Sequence, residues 1–142
     1  MNSAMGTTTI KVDVLVDAPL AKAWDCWTSP DHITRWYAAS DDWHTPRATN
    51  DVKVGGGFSF RMEARNKSAG FDFQGRYTLV SPRQHLHCLL ADGRNLDIRF
   101  LPEGNRVRVE EEFEAETTNS AELQRQGWQA ILNSFKKHVE AA

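Results

Sequence analysis

Apolar and polar positions alternate with period two over residues 8–17: Ile10, Val12, Val14 and Val16 fall on one side, Lys11, Asp13 and Asp17 on the other. That pattern predicts a half-buried strand. Asp17-Ala18-Pro19 ends it and opens a helix, with Pro19 at the first helical position, where its missing N–H is not needed. Leu20, Ala23, Trp24 and Trp27 follow at helical spacing. Ser29-Pro30 repeats the device: Ser29 can cap and Pro30 begin a second short helix with Ile33, Trp36 and Tyr37 on its apolar face. Residues 38–50 are polar and without period, with Trp43 alone among them, and read as an irregular segment. Asp51 to Val54 can form a short strand, and Gly55-Gly56-Gly57 marks a bulge or sharp bend.

Period two then returns in successive runs. Phe58, Phe60 and Met62 alternate with Ser59, Arg61 and Glu63; Phe71, Phe73, Gly75, Tyr77 and Leu79 alternate with Asp72, Gln74, Arg76 and Thr78. Leu86, Cys88 and Leu90, then Leu96, Ile98 and Phe100, then Val107, Val109 and Phe113 continue the series. Turn residues separate the runs at Asn66 to Gly70, Ser81-Pro82, Asp92-Gly93 and Pro102 to Asn105. Such short links imply antiparallel pairing. Asn119-Ser120-Ala121-Glu122 resembles a capping box, with Asn119 as the cap and Glu122 reaching back. A helix through Val139 is expected to follow, with Leu123, Gly127, Trp128, Ile131, Leu132, Phe135 and Val139 on one broad face. At Gly127 the missing side chain would let the helix approach the sheet closely.

These elements predict an α+β fold: a curved antiparallel sheet of six to seven strands wrapped around a long C-terminal helix, with two short helices after the first strand. Only the last helix is long enough to cover the apolar face, and strand twist with the glycine bend lets the sheet curl around it. A single domain is expected over residues 8–140, with residues 1–7 a loose or non-native N-terminal extension. A curled sheet gripping one helix leaves a gap that aromatic side chains either fill or line. Ten residues are the candidates for that cavity: Trp36, Trp43, Phe58, Phe60 and Met62, together with Phe71, Phe73, Tyr77, Trp128 and Leu132. Trp43, in the irregular stretch, can serve as a lid at the mouth or as an anchor to the core. If hollow, such a site would typically enclose roughly 300 to 1,000 Å³.

Composition narrows the function classes. The 142 residues carry 17 Lys and Arg against 19 Asp and Glu, a formal charge of −2 that gives no basic bias towards nucleic acid. No apolar run reaches the roughly 18 residues of a membrane span, and no charged stretch precedes an apolar one at the N-terminus as in a secretory signal. Cys26 and Cys88 each sit in an apolar segment and read as reduced, buried thiols. A cytoplasmic protein is expected.

The order and wording of the segments resemble the SRPBCC (START-like, helix-grip) superfamily. They are "DAPLAKAWDCWTSPDHITRWY", "VGGGFSFRME", "FDFQGRYTLVSP" and the closing "QRQGWQAILNSFKKHVE". Within it the chain is similar to the branch named after the C-terminal domain of the activator of the heat-shock protein 90 ATPase. The motifs are Ala18-Pro19 with Trp24, Trp36, the Gly55-Gly56 bend, Gly75, Pro82 and Gly127-Trp128, spread over about residues 8–140. The resemblance implies a helix-grip fold with a pocket between sheet and C-terminal helix. In that superfamily such pockets take lipids, hormones, polyketides and other apolar molecules. Co-chaperone activity is not carried over by the branch name.

Chemistry-bearing residues are few. His85 and His87, two apart on a strand, share a face and have metal-ligand spacing, but no motif supplies a third ligand; they are expected on the outer sheet face, and no metal or cofactor is expected. Arg61, Glu63, Asp72, Gln74, Arg76, Asp97 and Arg99 are expected to pair across strands on the solvated face. Glu110, Glu111, Glu112, Glu114 and Glu116 form an acidic run expected on the solvated face of an edge strand. No phosphate loop, His-Glu-x-x-His or Gly-x-Ser-x-Gly is present. The first reading is binding of a small apolar or amphipathic molecule. A cyclase- or dehydratase-type enzyme in the same pocket, and a chaperone-associated interaction module, are the alternatives. No stable membrane association is expected, and the chain is expected to be a monomer or homodimer.

Overall fold

Seven antiparallel strands form one sheet, and the structure, a computed structural model, describes residues 8–142. The expectation for residues 1–7 lies outside the described residues. In chain order the elements are β1 (Thr9–Val16), α1 (Leu20–Thr28), α2 (Pro30–Trp36), β2 (Trp43–Asn50), β3 (Gly57–Ala64), β4 (Gly70–Ser81), β5 (His85–Leu90), β6 (Asn95–Glu103), β7 (Arg106–Glu114) and α3 (Ala121–Ala141). The sheet order is β1-β7-β6-β5-β4-β3-β2, so the last strand returns beside the first. The sheet curls into a half-barrel, and α3 packs on it through Leu132, Phe135 and Val139, all fully buried.

β1 is an edge strand, and α3 closes that edge chemically. Arg125 donates to the Lys11 carbonyl, Gln129 to that of Asp13 and Lys136 to that of Leu15, at 2.9, 2.9 and 2.8 Å. Those are alternate carbonyls, the ones that point away from β7, so side chains of the helix occupy acceptors that could otherwise template another strand.

Several local expectations need correction. Residues 43–50 form the strand β2 rather than an irregular segment, and 51–54 form no strand. β2 lacks alternation because it is the other edge, carries Pro46 and slips register between His44 and Arg47. Alternation along β4 also breaks, because a bulge between Tyr77 and Leu79 turns Leu79 outward and packs Val80 against the core. β7 is flanked by β1 and β6 and is not an edge. Pro19 is the cap of α1, not its first residue, and Ser29 caps α2 without a side-chain hydrogen bond. Ser120 is the N-cap of α3, accepting from the Leu123 N–H at 3.1 Å, while Glu122 pairs with Arg125 instead of reaching back. Leu123 is exposed and Gln124 is the buried residue of that turn, its amide held by the carbonyls of Glu116 and Asn119. A Cβ on Gly127 would meet nothing within 4 Å, so that glycine does not serve a close approach to the sheet.

The glycine bend does what a sheet-curling device requires. A Cβ on Gly56 would lie 2.1 Å from the Asp51 carbonyl oxygen. At Gly75 it would lie 2.6 Å from the Leu89 carbonyl and 3.0 Å from the Phe58 ring. Gly75 therefore leaves the space that the Phe58 ring and the Leu89 carbonyl occupy against β4.

Candidate functional site

The inner face of the half-barrel is aromatic by period-two patterning. Phe58 and Phe60 come from β3, Phe73 and Tyr77 from β4, and α1 and α2 cover them with Trp27, Trp36 and Tyr37. Their rings meet edge-to-face, tilted or, for Tyr37 on Phe73, stacked, at 4.8 to 6.3 Å, geometries that ring quadrupoles favour when offset. Between them and Cys88, Leu96, Ile98 and Glu111 lies an inner void of about 20 Å³, room for roughly one water. The interior is thus mostly filled by its own side chains.

Glu111 breaks the apolar pattern of that void. It follows Val107 and Val109 and precedes Phe113 on the inward face of β7, opposite Ile98 of β6 and Val12 of β1. Its residue is 3% exposed, and its carboxyl has no hydrogen-bond partner among the described residues. Burial alone pushes its pKa up to about 8, so the group is mostly neutral at pH 7. The expectation that the whole acidic run is solvated fails at this residue. Glu110, Glu112 and Glu114 do face out, towards Lys11, Arg99 and Asn95.

Polar groups gather near Glu111. Burial, and secondarily the charge of Glu111, raise the Tyr37 hydroxyl well above its ordinary value and the Cys88 thiol to about 12. The Tyr77 hydroxyl donates to Asn50 Oδ1, and Asn50 Nδ2 donates to the Thr28 carbonyl at 2.9 Å. One amide thereby ties β4, β2 and α1 together at the cavity wall. Tyr37 is held from behind, its carbonyl accepting from the buried Thr45 hydroxyl.

A second hollow opens at the surface, between the sheet and the start of α3. It has a volume of about 240 Å³, and its walls include Met62, Phe71, Arg94, Gln124, Trp128 and Ile131. Tyr37 and Phe73 line both hollows and form the partition between them. Trp128 lies flat on Phe113, ring centroids 3.8 Å apart and planes 13° apart, and presents its edge to Phe73 at 5.9 Å. A wider concavity, about 670 Å³ around Gly57, Gln74, Gly75 and Leu89, is an open groove. None of the buried carboxyl, thiol and hydroxyl groups lines it.

Of the ten residues expected at a cavity, Trp36, Phe58, Phe60, Phe73 and Tyr77 line the inner void, and Met62, Phe71, Phe73 and Trp128 line the mouth. Phe71 sits at the rim, 48% exposed. Leu132 is packed into the core and reaches neither hollow. Trp43 lies in a strand rather than a loop, 6.0 Å from Phe71, and lines a separate hollow beside α2. Glu111, Tyr37, Trp27, Cys88, Asn50 and Arg94 were not among the candidates. Glu111 was recoverable: reading the alternation of β7 straight through Val109 and Phe113 places it inside. On the outer face His85 bonds Asp97 at 2.7 Å and His87 bonds Asn95 at 3.1 Å, so each has a partner without a metal.

A curled seven-stranded antiparallel sheet holding a long C-terminal helix, with two short helices closing one end, defines the START-like helix-grip class. Within it the chain belongs to the Activator of Hsp90 ATPase homolog 1-like protein family, whose profile matches residues 17–140. The solution structure of an AHSA1-like protein from Aeromonas hydrophila is 41% identical, superposes with a TM-score of 0.88 and covers 94% of this chain and 93% of that one. Chr148 from Cytophaga hutchinsonii is 44% identical, with a TM-score of 0.82 and coverage of 94% and 92%. NE0264 from Nitrosomonas europaea, 16% identical with a TM-score of 0.79 and 94% of each chain covered, shares the fold. No curated protein matches the chain significantly. Among the described residues, no helix is long and apolar enough to cross a membrane.

Proposed function

We propose that the protein binds a small, largely apolar or amphipathic molecule between the sheet and α3, with the apolar body in the mouth and a polar end directed to Glu111. The observation that carries this reading is the buried carboxyl of Glu111, without a partner, behind an aromatic partition one side chain thick. A lone buried carboxyl is unfavourable to the fold unless it meets a partner, and a ligand oxygen or nitrogen can be that partner. Arg94 at the mouth offers a further polar contact. The inner void is far smaller than a ligand, so occupation requires Phe73 and Tyr37 to swing aside. Apolar contact with the ligand offsets that displacement.

The test is a thermal-shift panel of fatty acids, sterols and aromatic polyketides on the wild type and on Glu111→Gln and Trp128→Ala. A binder at 100-fold over its Kd should stabilise the wild type by about 2.7 kcal/mol, with a smaller gain in both variants. If no compound shifts the wild type, or if hits shift all three proteins equally, the reading fails.

A neutral carboxyl beside a tyrosine hydroxyl also favours a second reading, general-acid catalysis on the same bound molecule in a cyclase- or dehydratase-type reaction. That reading requires turnover that falls as pH passes about 8 and is lost in Glu111→Gln.

A further inference from the structure

Cys26 of α1, His32 of α2 and His138 of α3 converge on the helical side of the molecule, and none of them lines the inner void or the mouth. The Cys26 sulfur and one ring nitrogen of each histidine all lie within 4.8 Å of one another. His32 Nδ1 faces His138 Nε2 at 2.8 Å, with ring centroids 5.1 Å apart at 72°. Cys26 is 2% exposed and both histidines are half-buried, so the cluster has a closed back and an open front.

We propose that these three side chains form a binding site for a divalent transition-metal ion of the zinc type, with the fourth coordination position open to solvent. The chemistry of the set is selective. One thiolate and two imidazoles, with no carboxylate among them, suit zinc or cobalt and not calcium or magnesium. The distances fit small adjustments: ligands about 2.0 to 2.3 Å from a tetrahedral ion stand about 3.3 to 3.6 Å apart. The two ring nitrogens need to separate by roughly half an ångström, and the longest gap needs to close by roughly one.

The frame around the cluster is cross-braced, which keeps the three helices at this spacing. Trp36 Nε1 donates to the Cys26 carbonyl at 2.9 Å, joining α2 to α1. Ser134 Oγ donates to the Trp36 carbonyl at 2.7 Å, joining α3 to α2. Lys22 Nζ donates to the Ala142 carbonyl at 2.5 Å, joining α1 to the end of α3. That last bond also engages the ammonium of Lys22, whose charge faces the thiol from α1; Arg35 faces His138 from α2. On binding, the sulfur–hydrogen bond of Cys26 is exchanged for a sulfur–metal bond and one proton leaves to solvent. The imidazole that donates in the mutual hydrogen bond moves that proton, by exchange with solvent, to its other ring nitrogen, so that each ring offers a lone pair to the ion.

The experiment is a titration of untagged, chelator-stripped full-length protein with cobalt(II), followed by displacement with zinc(II). One equivalent should bind and produce a thiolate-to-cobalt charge-transfer band with the strong visible bands of a four-coordinate ion. Zinc should abolish both signals and raise the melting temperature. Cys26→Ser should lose the charge-transfer band. His138→Gln, at a half-exposed position, should weaken binding by more than about tenfold and carries the test if the cysteine variant does not fold. His87→Gln should change nothing. Cobalt bound without a charge-transfer band, affinity indifferent to His138→Gln, or affinity lost in His87→Gln would each overturn the proposal. So would the absence of binding at one equivalent. None of these outcomes bears on ligand binding behind Phe73.

Discussion

At Glu111 the folded chain holds a proton at pH values where the unfolded chain has released it. The folded pKa is raised from an ordinary 4.5 to about 8 by burial. The associated stability is therefore complete below about pH 4.5 and is lost as pH rises through about 8, because the unfolded state binds fewer protons across that window. Glu111→Gln keeps the shape and removes the titration. In urea unfolding, the wild type should lose stability relative to the variant across the window by an amount on the order of a few kcal/mol. Parallel pH profiles for the two proteins would mean that Glu111 is not the buried acid. The same residue shows how local pattern can mislead. Within the run Glu110 to Glu116 composition suggests a solvated strip, but period two assigns alternate members to opposite faces, and one member lands inside.

The elements differ in how far their own sequence accounts for them. β1, β3, β5 and β7 keep strict alternation, and β6 keeps it as far as Phe100, because one face meets the core and the other meets water. β2 keeps none, since an edge strand with a proline and a register slip is decided by what its neighbour offers. α3 has its helical face as read except in its first turn, where Gln124 and not Leu123 is buried, and its start is one residue later, where the Ser120 hydroxyl accepts from Leu123. Gly127 sits inside this helix with open space where its Cβ would be. Gly127→Ala should raise stability by about 1 kcal/mol and the melting temperature by a few degrees, measured by calorimetry. A loss of stability would show that some contact at that position requires glycine after all.

Across the whole molecule, one long helix has four separate duties. Its inward face fills the half-barrel, its flank closes the β1 edge through Arg125, Gln129 and Lys136, and its last turn brings His138 to His32. Near its start, Trp128 and Gln124 frame the mouth above Phe73. Phe73→Ala should join mouth and inner void into one cavity. It should lower stability by about 3 kcal/mol or less, the side chain being only half-buried. It should also raise the fluorescence of an added apolar dye, seen by titrating the dye into folded protein. Unchanged dye binding would show that Phe73 does not separate the two hollows.

Six of the seven strands, the three helices, the aromatic inner face, the glycine bend and the family were legible in the chain, because burial on one face imposes a period and turns require particular residues. The strand over 43–50, which shows no period, and the bulge after Tyr77 were not, because hydrogen bonds from a neighbouring strand set them. Tertiary structure alone decided that the hollow is divided by Phe73 and Tyr37 and mostly filled, since volume depends on how rings from five elements pack together. It alone brought Cys26 and His32 to His138, more than a hundred residues away along the chain, because only the grip of the sheet on α3 sets that distance.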